Sequence, residues 1–226
     1  MIVNCTISGN LSSHFGGGIS CQNGDPIILS CIISGNSADT DGGGAYCAWG
    51  APTMLNCTIS GNSASAYGGG VYSKFGTPTL INCILWGDTA PEGDEIALRY
   101  SGGSLDLSYT DVQGGPNNVY VDSGSSLVWG GGNVDADPLF VDADGPDDDP
   151  NTWEDNDYHI KGKSPCKNTG DPNGDYADQT DIDGESRVMG PRVDMGADEK
   201  YKCGGGTEPL LAMMLLGGLT LIRRRR

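Results

Sequence analysis

The feature that most constrains this chain is a 26-residue repeat that runs through its first 90 residues. Four kinds of landmark recur at this spacing: a cysteine, an asparagine, a glycine triplet and a proline. The cysteines are Cys5, Cys31, Cys57 and Cys83, the asparagines are Asn10, Asn36 and Asn62, and the triplets begin at Gly16, Gly42 and Gly68. A fixed period of this length is typical of solenoid proteins, in which one small unit is copied and stacked.

Each copy of the repeat predicts short strands rather than helices. Apolar side chains alternate around each cysteine, as in Leu55, Cys57 and Ile59, and a period of two is typical of a strand with one buried face. A second short strand is predicted after each glycine triplet, for example over residues 70–73. No part of the repeat has helical periodicity, so each copy is predicted to form two or three short strands joined by tight corners.

A single copy is too small to fold alone. Burying about five small apolar side chains at ~1.5–3 kcal/mol each does not offset the entropy of ordering 26 residues at ~1–2 kcal/mol each. Copies stacked in parallel can pair each strand with its equivalent one turn away, at a distance of about 4.7–4.9 Å. The repeat therefore predicts an all-β fold, a parallel β-solenoid with 26-residue rungs.

Stacking would place the repeat cysteines in one inward column and Asn10, Asn36 and Asn62 in another column at the corners. A Gly-Asn pair supplies the left-handed conformation of a corner, and stacked asparagines can hydrogen-bond along the coil. Parallel Cβ vectors leave stacked sulfur atoms farther apart than a relaxed disulfide requires, which favours free buried thiols over bridges. Outside the columns, Cys166 and Cys203 are able to pair.

The acidic residues are concentrated late in a chain whose net charge is −17. This charge argues against nucleic acid as a partner. Oxygen-rich loops between residues 133 and 200 are typical of calcium sites, whereas a solvated acidic region with Asx turns is the other interpretation, because complete EF-hand spacing is absent. The candidate calcium ligands are Asp142, Asp144, Asp171, Asn173, Asp175, Asp181 and Asp183.

The repeat resembles a known group of proteins. Its pattern, C-T-I-S-G-N followed by G-G-G and Ile or Val, resembles the right-handed parallel β-helix repeats of pectin-lyase-like bacterial surface proteins. It is also similar to the repeats of chlamydial polymorphic outer-membrane proteins, with Cys in place of Phe. The resemblance implies a right-handed parallel β-helix over residues 1–90, and later stretches such as NVDADPLFVD extend it to about residue 200. It implies little about function, because this fold carries lyases, hydrolases, adhesins and inert stalks.

The chain is predicted to have three parts. Rungs of the β-helix occupy residues 1–113, an acidic, loop-rich region over 114–202 caps the helix, and residues 203–226 hold a glycine spacer, a hydrophobic segment and an arginine cluster. Met1 falls directly into a predicted strand and no signal peptide is visible. We therefore expect the chain to be the C-terminal part of a longer protein.

The C-terminal tail resembles a PEP-CTERM sorting signal. Its apolar run is shorter than the ~20 residues of a membrane span, and its basic end fits a cytoplasmic flank. Thr207 stands where the motif has its first proline, and the matching residues are Glu208, Pro209, Arg223, Arg224, Arg225 and Arg226. The resemblance implies export to the cell surface or beyond, transient membrane contact and removal of the tail by processing. The alternative is a C-terminal hydrophobic helix with no sorting role.

No catalytic arrangement is recognisable in the regular rungs. β-Helical lyases need calcium-binding carboxylates with an Arg or Lys, and β-helical glycosidases need a cluster of carboxylates. Lys74 is the only basic residue of the rungs, and His14 and His159 are isolated in the sequence, which favours surface or structural roles.

Three classes of function are therefore predicted. The first is an exported, non-enzymatic surface or extracellular-matrix protein, adhesive or associated with polysaccharide or other surface proteins. The second is a polysaccharide lyase or glycoside hydrolase whose active site lies in missing N-terminal rungs. The third is a calcium-dependent carbohydrate-binding module.

Overall fold

The computed structural model describes residues 1–147, 149, 152, 153 and 155–200, and these residues form an all-β structure with one short 3-10 helix, Gly115–Asn118. The strands, in chain order, are β1 (Ile2–Val3), β2 (Thr6–Ser8), β3 (Leu11–Ser12), β4 (Ile19–Gln22), β5 (Ile27–Leu29), β6 (Ile32–Ser34), β7 (Ser37–Ala38), β8 (Ala45–Ala48), β9 (Thr53–Leu55), β10 (Thr58–Ser60), β11 (Ser63–Ala64), β12 (Val71–Lys74), β13 (Thr79–Ile81), β14 (Ile84–Trp86), β15 (Ile96–Arg99), β16 (Ser104–Ser108), β17 (Asp111–Val112), β18 (Tyr120–Val121), β19 (Ser126–Trp129), β20 (Phe140–Asp142) and β21 (Asp157–Ile160).

The strands from β1 to β19 stack into four parallel sheets along a coil, and β20 and β21 form a separate antiparallel pair. Sheet A contains β1, β5, β9, β13, β16 and β19, and sheet B contains β2, β6, β10, β14 and β17. Sheet C contains β3, β7 and β11, and sheet D contains β4, β8, β12, β15 and β18. Equivalent residues of successive rungs pair directly, as Ile33, Ile59 and Leu85 do in sheet B. The predicted all-β parallel solenoid with 26-residue rungs is confirmed.

The core lies inside the coil, and one feature of its predicted pattern is wrong. Inward side chains of the third rung include Met54, Cys57 and Ile59, all fully buried. The alternation had placed Leu55 inside instead of Met54, but Leu55 is only half-buried. Asn56 adopts a positive φ of 54°, which makes a corner between β9 and β10. The corner breaks the alternation, because the predicted single strand is two strands with different orientations.

The glycine triplets are required by the close approach of neighbouring rungs. A Cβ atom added to Gly43 would lie 2.3 Å from the carbonyl oxygen of Ser63, one rung away. The first glycine of the second triplet, Gly42, has a φ of 72°, which favours glycine over residues with a side chain. The repeated triplet therefore marks a corner where only glycine fits.

The coil continues past residue 113, where the sequence predicted its end. β18 and β19 extend sheets D and A, through pairs such as Leu98 with Val121 and Leu107 with Trp129. The strict period fails here because the later turns differ in length: Thr79 pairs with Asp106, whereas Ser104 pairs with Ser126. Strand pairing is kept although the spacing of the sequence landmarks is lost.

The described residues between 135 and 200, here called the flank segment, lie against the outer face of sheet B and not only at the end of the coil. The amide of Ala197 donates to Oγ1 of Thr58 at 3.0 Å, and the amide of Gly196 donates to the carbonyl oxygen of Asn82 at 2.8 Å. A second apolar cluster fills the contact between the two parts, and it contains Ile32, Ile84, Phe140, Tyr158, Ile160, Cys166, Met195 and Ala197. Sheet B is therefore covered on both faces, by the core of the coil and by the flank segment.

Among the described residues, no helix has the length and apolar character needed to cross a bilayer. The predicted sorting signal, with its hydrophobic segment and arginine cluster over residues 203–226, lies outside the part of the chain that the structure describes.

Candidate functional site

A groove of about 440 Å³ separates the first rungs of sheet B from the flank segment. We call it the flank groove. Short polar side chains from the rungs form one wall, and aromatic and charged side chains of the flank segment form the other. The groove is lined by Asn4, Thr6, Ser8, Ile32, Ser34, Trp153, Asn156, Asp157, Tyr158, His159, Ile182 and Asp183.

The two walls follow from the local sequence. On β2, Ile7 packs against the core, so the alternating Thr6 and Ser8 point their hydroxyl groups outward. On the other wall, Trp153 lies against two corner glycines of the repeat: a Cβ atom on Gly9 would be 1.9 Å from Nε1 of the indole, and one on Gly35 would be 2.7 Å from its Cβ. The corner glycines thus leave the space that the indole occupies.

His159 lies between two carboxylates at the edge of the groove. Its Nδ1 contacts Oδ1 of Asp157, and its Nε2 is 2.8 Å from Oδ2 of Asp183. Burial opposes the charged imidazolium, but the hydrogen bond to Asp157 and the charges of Asp198 and Asp183 outweigh it, so the pKa of His159 is raised. The ring therefore holds its second proton more tightly than a free histidine does, with a carboxylate at each nitrogen.

The sequence showed no nucleophile motif around His159 and favoured a surface or structural role, and the structure gives this histidine two carboxylate partners. Asp157 and His159 are two residues apart on β21, so they share one face of that strand, and this signal was present in the sequence. Asp183 comes from a distant turn, and only the tertiary fold brings it to the histidine.

One group of potential metal ligands occurs in the described residues. Ligand atoms of His159, Asp183 and Asp198 all lie within 4.8 Å of one another. Oδ2 of Asp198 also accepts a hydrogen bond from the amide of Ile160 at 3.0 Å. Of the seven predicted calcium ligands, this group includes only Asp183. A cation bound here would have to displace a proton from the imidazole ring.

The other predicted calcium ligands are spread along the flank segment, and three of them accept backbone hydrogen bonds. Oδ1 of Asp181 accepts from the amides of Asp183 and Glu185, and its Oδ2 accepts from that of Glu199, at 3.0, 2.8 and 3.2 Å. Asp171 and Asp175 accept from the amides two residues later, Asn173 and Ala177, as in Asx turns. Asp142 lies in β20, and Asp144 lies in the turn that follows β20. Calcium binding by these residues stays a prediction.

The asparagine column is present and ends on a carboxylate. Nδ2 of Asn10 donates to Oδ1 of Asn36, Nδ2 of Asn36 donates to Oδ1 of Asn62, and Nδ2 of Asn62 donates to Oδ1 of Asp88, over 2.9, 2.9 and 2.8 Å. The backbone amide of each donor asparagine donates to the same oxygen as its side chain. The column therefore joins neighbouring rungs through paired hydrogen bonds.

The cysteine column consists of free thiols. Cys31, Cys57 and Cys83 are fully buried, whereas Cys5 is exposed because the chain supplies a neighbouring rung on only one side of it. Burial raises the pKa of the Cys57 thiol, which keeps it neutral. Cys166 is also free, and its Sγ lies 3.0 Å from Oδ2 of Asp111. Cys203 lies outside the described residues.

A stack of aromatic side chains on one corner of the coil was not predicted. Trp49, Phe75 and Tyr100 succeed one another along the axis, with ring centroids 5.8 and 5.3 Å apart. Nζ of Lys74 is 4.5 Å from the ring centroid of Tyr100. The three residues have positive φ angles of 54°, 55° and 68°, which are uncommon for bulky side chains. The 26-residue separation of Trp49 and Phe75 was the available signal.

Comparison with known proteins identifies the repeat. Residues 4–22, 30–48 and 56–74 each match the family model of the Chlamydia polymorphic membrane protein repeat. Each match begins at a corner residue before sheet B and ends in a strand of sheet D. No curated protein and no solved structure matches the chain significantly. The repeats and the solenoid together fit a repeat protein of the cell surface or outer membrane.

Proposed function

Because the chain is a parallel β-helix repeat protein, we propose that it belongs to an exported, non-enzymatic surface or extracellular-matrix protein that contacts polysaccharide through the flank groove. The lining of the groove carries the proposal. Hydroxyl and amide groups of the first two rungs, such as those of Asn4, Thr6 and Ser34, line the groove together with the aromatic rings of Trp153 and Tyr158. Apolar rings with a few convergent polar groups are typical of ligand sites, and sugars use both.

The coil suits a stiff scaffold. Each interior rung pairs with two neighbours along sheets A, B and D, and its core is continuous from rung to rung. The asparagine column adds side-chain hydrogen bonds between rungs, such as the one from Asn36 to Asn62. Bending such a stack would break hydrogen bonds and packing in several sheets at once.

The state of the groove carboxylates supports binding rather than hydrolysis. A glycosidase needs one carboxyl group that is protonated and a second one that is free to attack or to activate water. Here Asp157 and Asp183 each contact a nitrogen of His159. Both carboxylates are thus occupied by contacts with the imidazole ring, which leaves neither of them free to act on a substrate in this arrangement.

The test uses the full chain with pectin, alginate, hyaluronan and related polymers. Affinity electrophoresis and calorimetry measure binding, and unsaturated products and reducing ends measure turnover. We expect binding without turnover. Trp153→Ala should weaken binding about tenfold, because ring contacts contribute about 0.5–1.5 kcal/mol beyond burial. Trp49→Ala, in the aromatic stack and outside the lining of the groove, is the matched control and should bind as the wild type does.

Several outcomes would overturn the proposal. Turnover that a single Asp, Arg or Lys substitution abolishes would indicate a carbohydrate enzyme, and binding lost only in Trp49→Ala would move the contact to the aromatic stack. Thr6→Val removes a groove hydroxyl with little change in volume, so it tests the groove if Trp153→Ala fails to fold. Binding that disappears with a chelator would favour the calcium-dependent module.

A further inference from the structure

The fourth rung departs from the repeat at three neighbouring landmarks. The asparagine column ends in Asp88, where the earlier rungs have Asn10, Asn36 and Asn62. The amides of Gly70 and Val71 donate to the carbonyl oxygens of Asp94 and Glu95, which places these two acids where the previous triplet has its second and third glycines. Three uncharged positions of the repeat therefore become carboxylates at one place.

Asp88 puts an oxygen into a slot that holds an N–H donor in the other rungs. Nδ2 of Asn62 occupies this slot under Gly44, 3.1 Å from an added Cβ atom, and it donates to the carbonyl oxygen of Ile33 at 2.9 Å. In the next rung the atom under Gly70 is Oδ2 of Asp88, 2.5 Å from an added Cβ atom. In the preceding rung this slot faces a carbonyl acceptor, so it favours a hydrogen-bond donor or a cation. An ionised carboxylate oxygen is neither.

Two buried carboxyl oxygens in this place have no partner. Asp88 and Glu95 are 3 % and 2 % exposed, and Asp88 Oδ2 and Glu95 Oε2 have no hydrogen-bonding partner among the described residues. Burial raises the pKa of both carboxyl groups, and the two side chains also contact each other. The pair has no cationic side chain beside it among the described residues that line this place, so it needs either a shared proton or a bound cation.

Both side chains line a cleft of about 560 Å³, here called the rung-four cleft. The rest of its lining is rich in oxygen atoms. It consists of Gly87, Thr89, Asp94, Gln113, Gly114, Asn117 and Asn118. Carboxylate and amide oxygens are the hard ligands that calcium selects, and a cleft of this size admits the six to eight ligands that it needs, water included.

We propose that the rung-four cleft is a calcium site in which Asp88 and Glu95 are the buried carboxylate ligands. Asp94, Gln113 and Asn118 line the same cleft and would supply further oxygen ligands. The cation would supply the positive charge that the end of the asparagine column lacks. None of these residues is among the seven acidic-region ligands predicted from the sequence.

The experiment titrates the full chain with calcium chloride at pH 7 by calorimetry. We expect saturable binding and a melting temperature that rises with calcium concentration. Asp88→Asn restores the residue that the column has in its other rungs, so this variant should fold. It should bind at least about tenfold more weakly, because it removes one of the charged ligands that set calcium affinity.

Two further variants locate the site. Glu95→Gln should weaken binding as Asp88→Asn does. Asp183→Asn removes a ligand from the group around His159 and should leave this binding unchanged. The proposal is wrong if Asp88→Asn and Glu95→Gln bind like the wild type, or if binding is lost only in Asp183→Asn. It is also wrong if no heat is detected at millimolar calcium, because the two carboxyl groups then share a proton and need no ion.

Discussion

The regular rungs and the flank segment satisfy their backbone groups in opposite ways. In the rungs, an amide finds a carbonyl oxygen one turn away, as Gly17 does with Gly42 at 3.0 Å. The flank segment has no neighbouring rung to pair with, and side-chain carboxylates accept from its amides instead. Asp194 accepts from the amides of Asn168 and Lys200, at 2.5 and 2.6 Å. A repeat needs few acidic residues because its copies pair with one another. An irregular segment uses acids to cap its turns, which gives the acidity of this region a structural cause.

The interiors of the two regions also differ in charge. The apolar core of the coil consists of neutral side chains, including the buried thiols of the cysteine column. The flank segment buries the whole of Arg187, whose Nη2 donates to the carbonyl oxygen of Asp194 at 2.8 Å. Burial lowers the pKa of Arg187, and the charges of Glu199, Asp194 and Asp181 offset part of this effect. Adding a charge should therefore damage the coil most, and removing one should damage the flank segment most.

The largest effect is expected from Cys57→Asp. The new carboxylate would lie in the apolar core with no positive partner, and we expect a loss of about 3–5 kcal/mol in the free energy of unfolding. Urea unfolding followed by circular dichroism measures it. Cys5→Asp is the matched control, because Cys5 belongs to the same column but is exposed. It should change stability by less than about 1 kcal/mol. Equal losses in the two variants would contradict a buried cysteine column.

The repeat alone was sufficient to predict the rungs, because each landmark reports a local requirement that recurs. The glycine triplets and the corner asparagines are examples, since both record a contact between neighbouring rungs. The inward orientation of Met54 was missed because Asn56, with its left-handed conformation, interrupts the alternation between the two strands. An alternating pattern cannot show where such a corner lies.

The flank groove was beyond prediction for a different reason. Its second wall depends on contacts between residues far apart in the chain, such as Ala197 with Thr58 and Asp183 with His159. These contacts do not recur, so no period reports them. The departures at Asp88 and Glu95 were visible in the sequence as breaks in the repeat, but only the structure shows that the two side chains are buried together.

The flank segment should respond most to the loss of its buried cation. Arg187→Met keeps much of the side-chain volume and leaves the surrounding carboxylates without their counter-charge, and we expect a loss of about 2–4 kcal/mol. Hydrogen exchange should show lower protection in residues 155–200 and little change in the inner strands of sheet A. Lys161→Met, at an exposed position in the same segment, is the control. Equal loss of protection throughout the coil would show that the two regions unfold as one unit.

The smallest effect concerns the pH dependence of the flank segment. The pKa of His159 is raised above its usual value of 6.5, so the folded state binds this proton more tightly than the unfolded chain does. The resulting stabilisation is fully present below about pH 6.5 and is lost as the pH rises through the folded pKa. His159→Gln should therefore melt about 1–3 °C below the wild type at pH 6, a small difference because solvent screens a side chain that is 32 % exposed. The difference should shrink by pH 9, because His159 has then lost its proton. His14→Gln, at an exposed histidine of the regular rungs, should show no such trend. A constant difference across this range would mean that His159 is not charged between its two carboxylates.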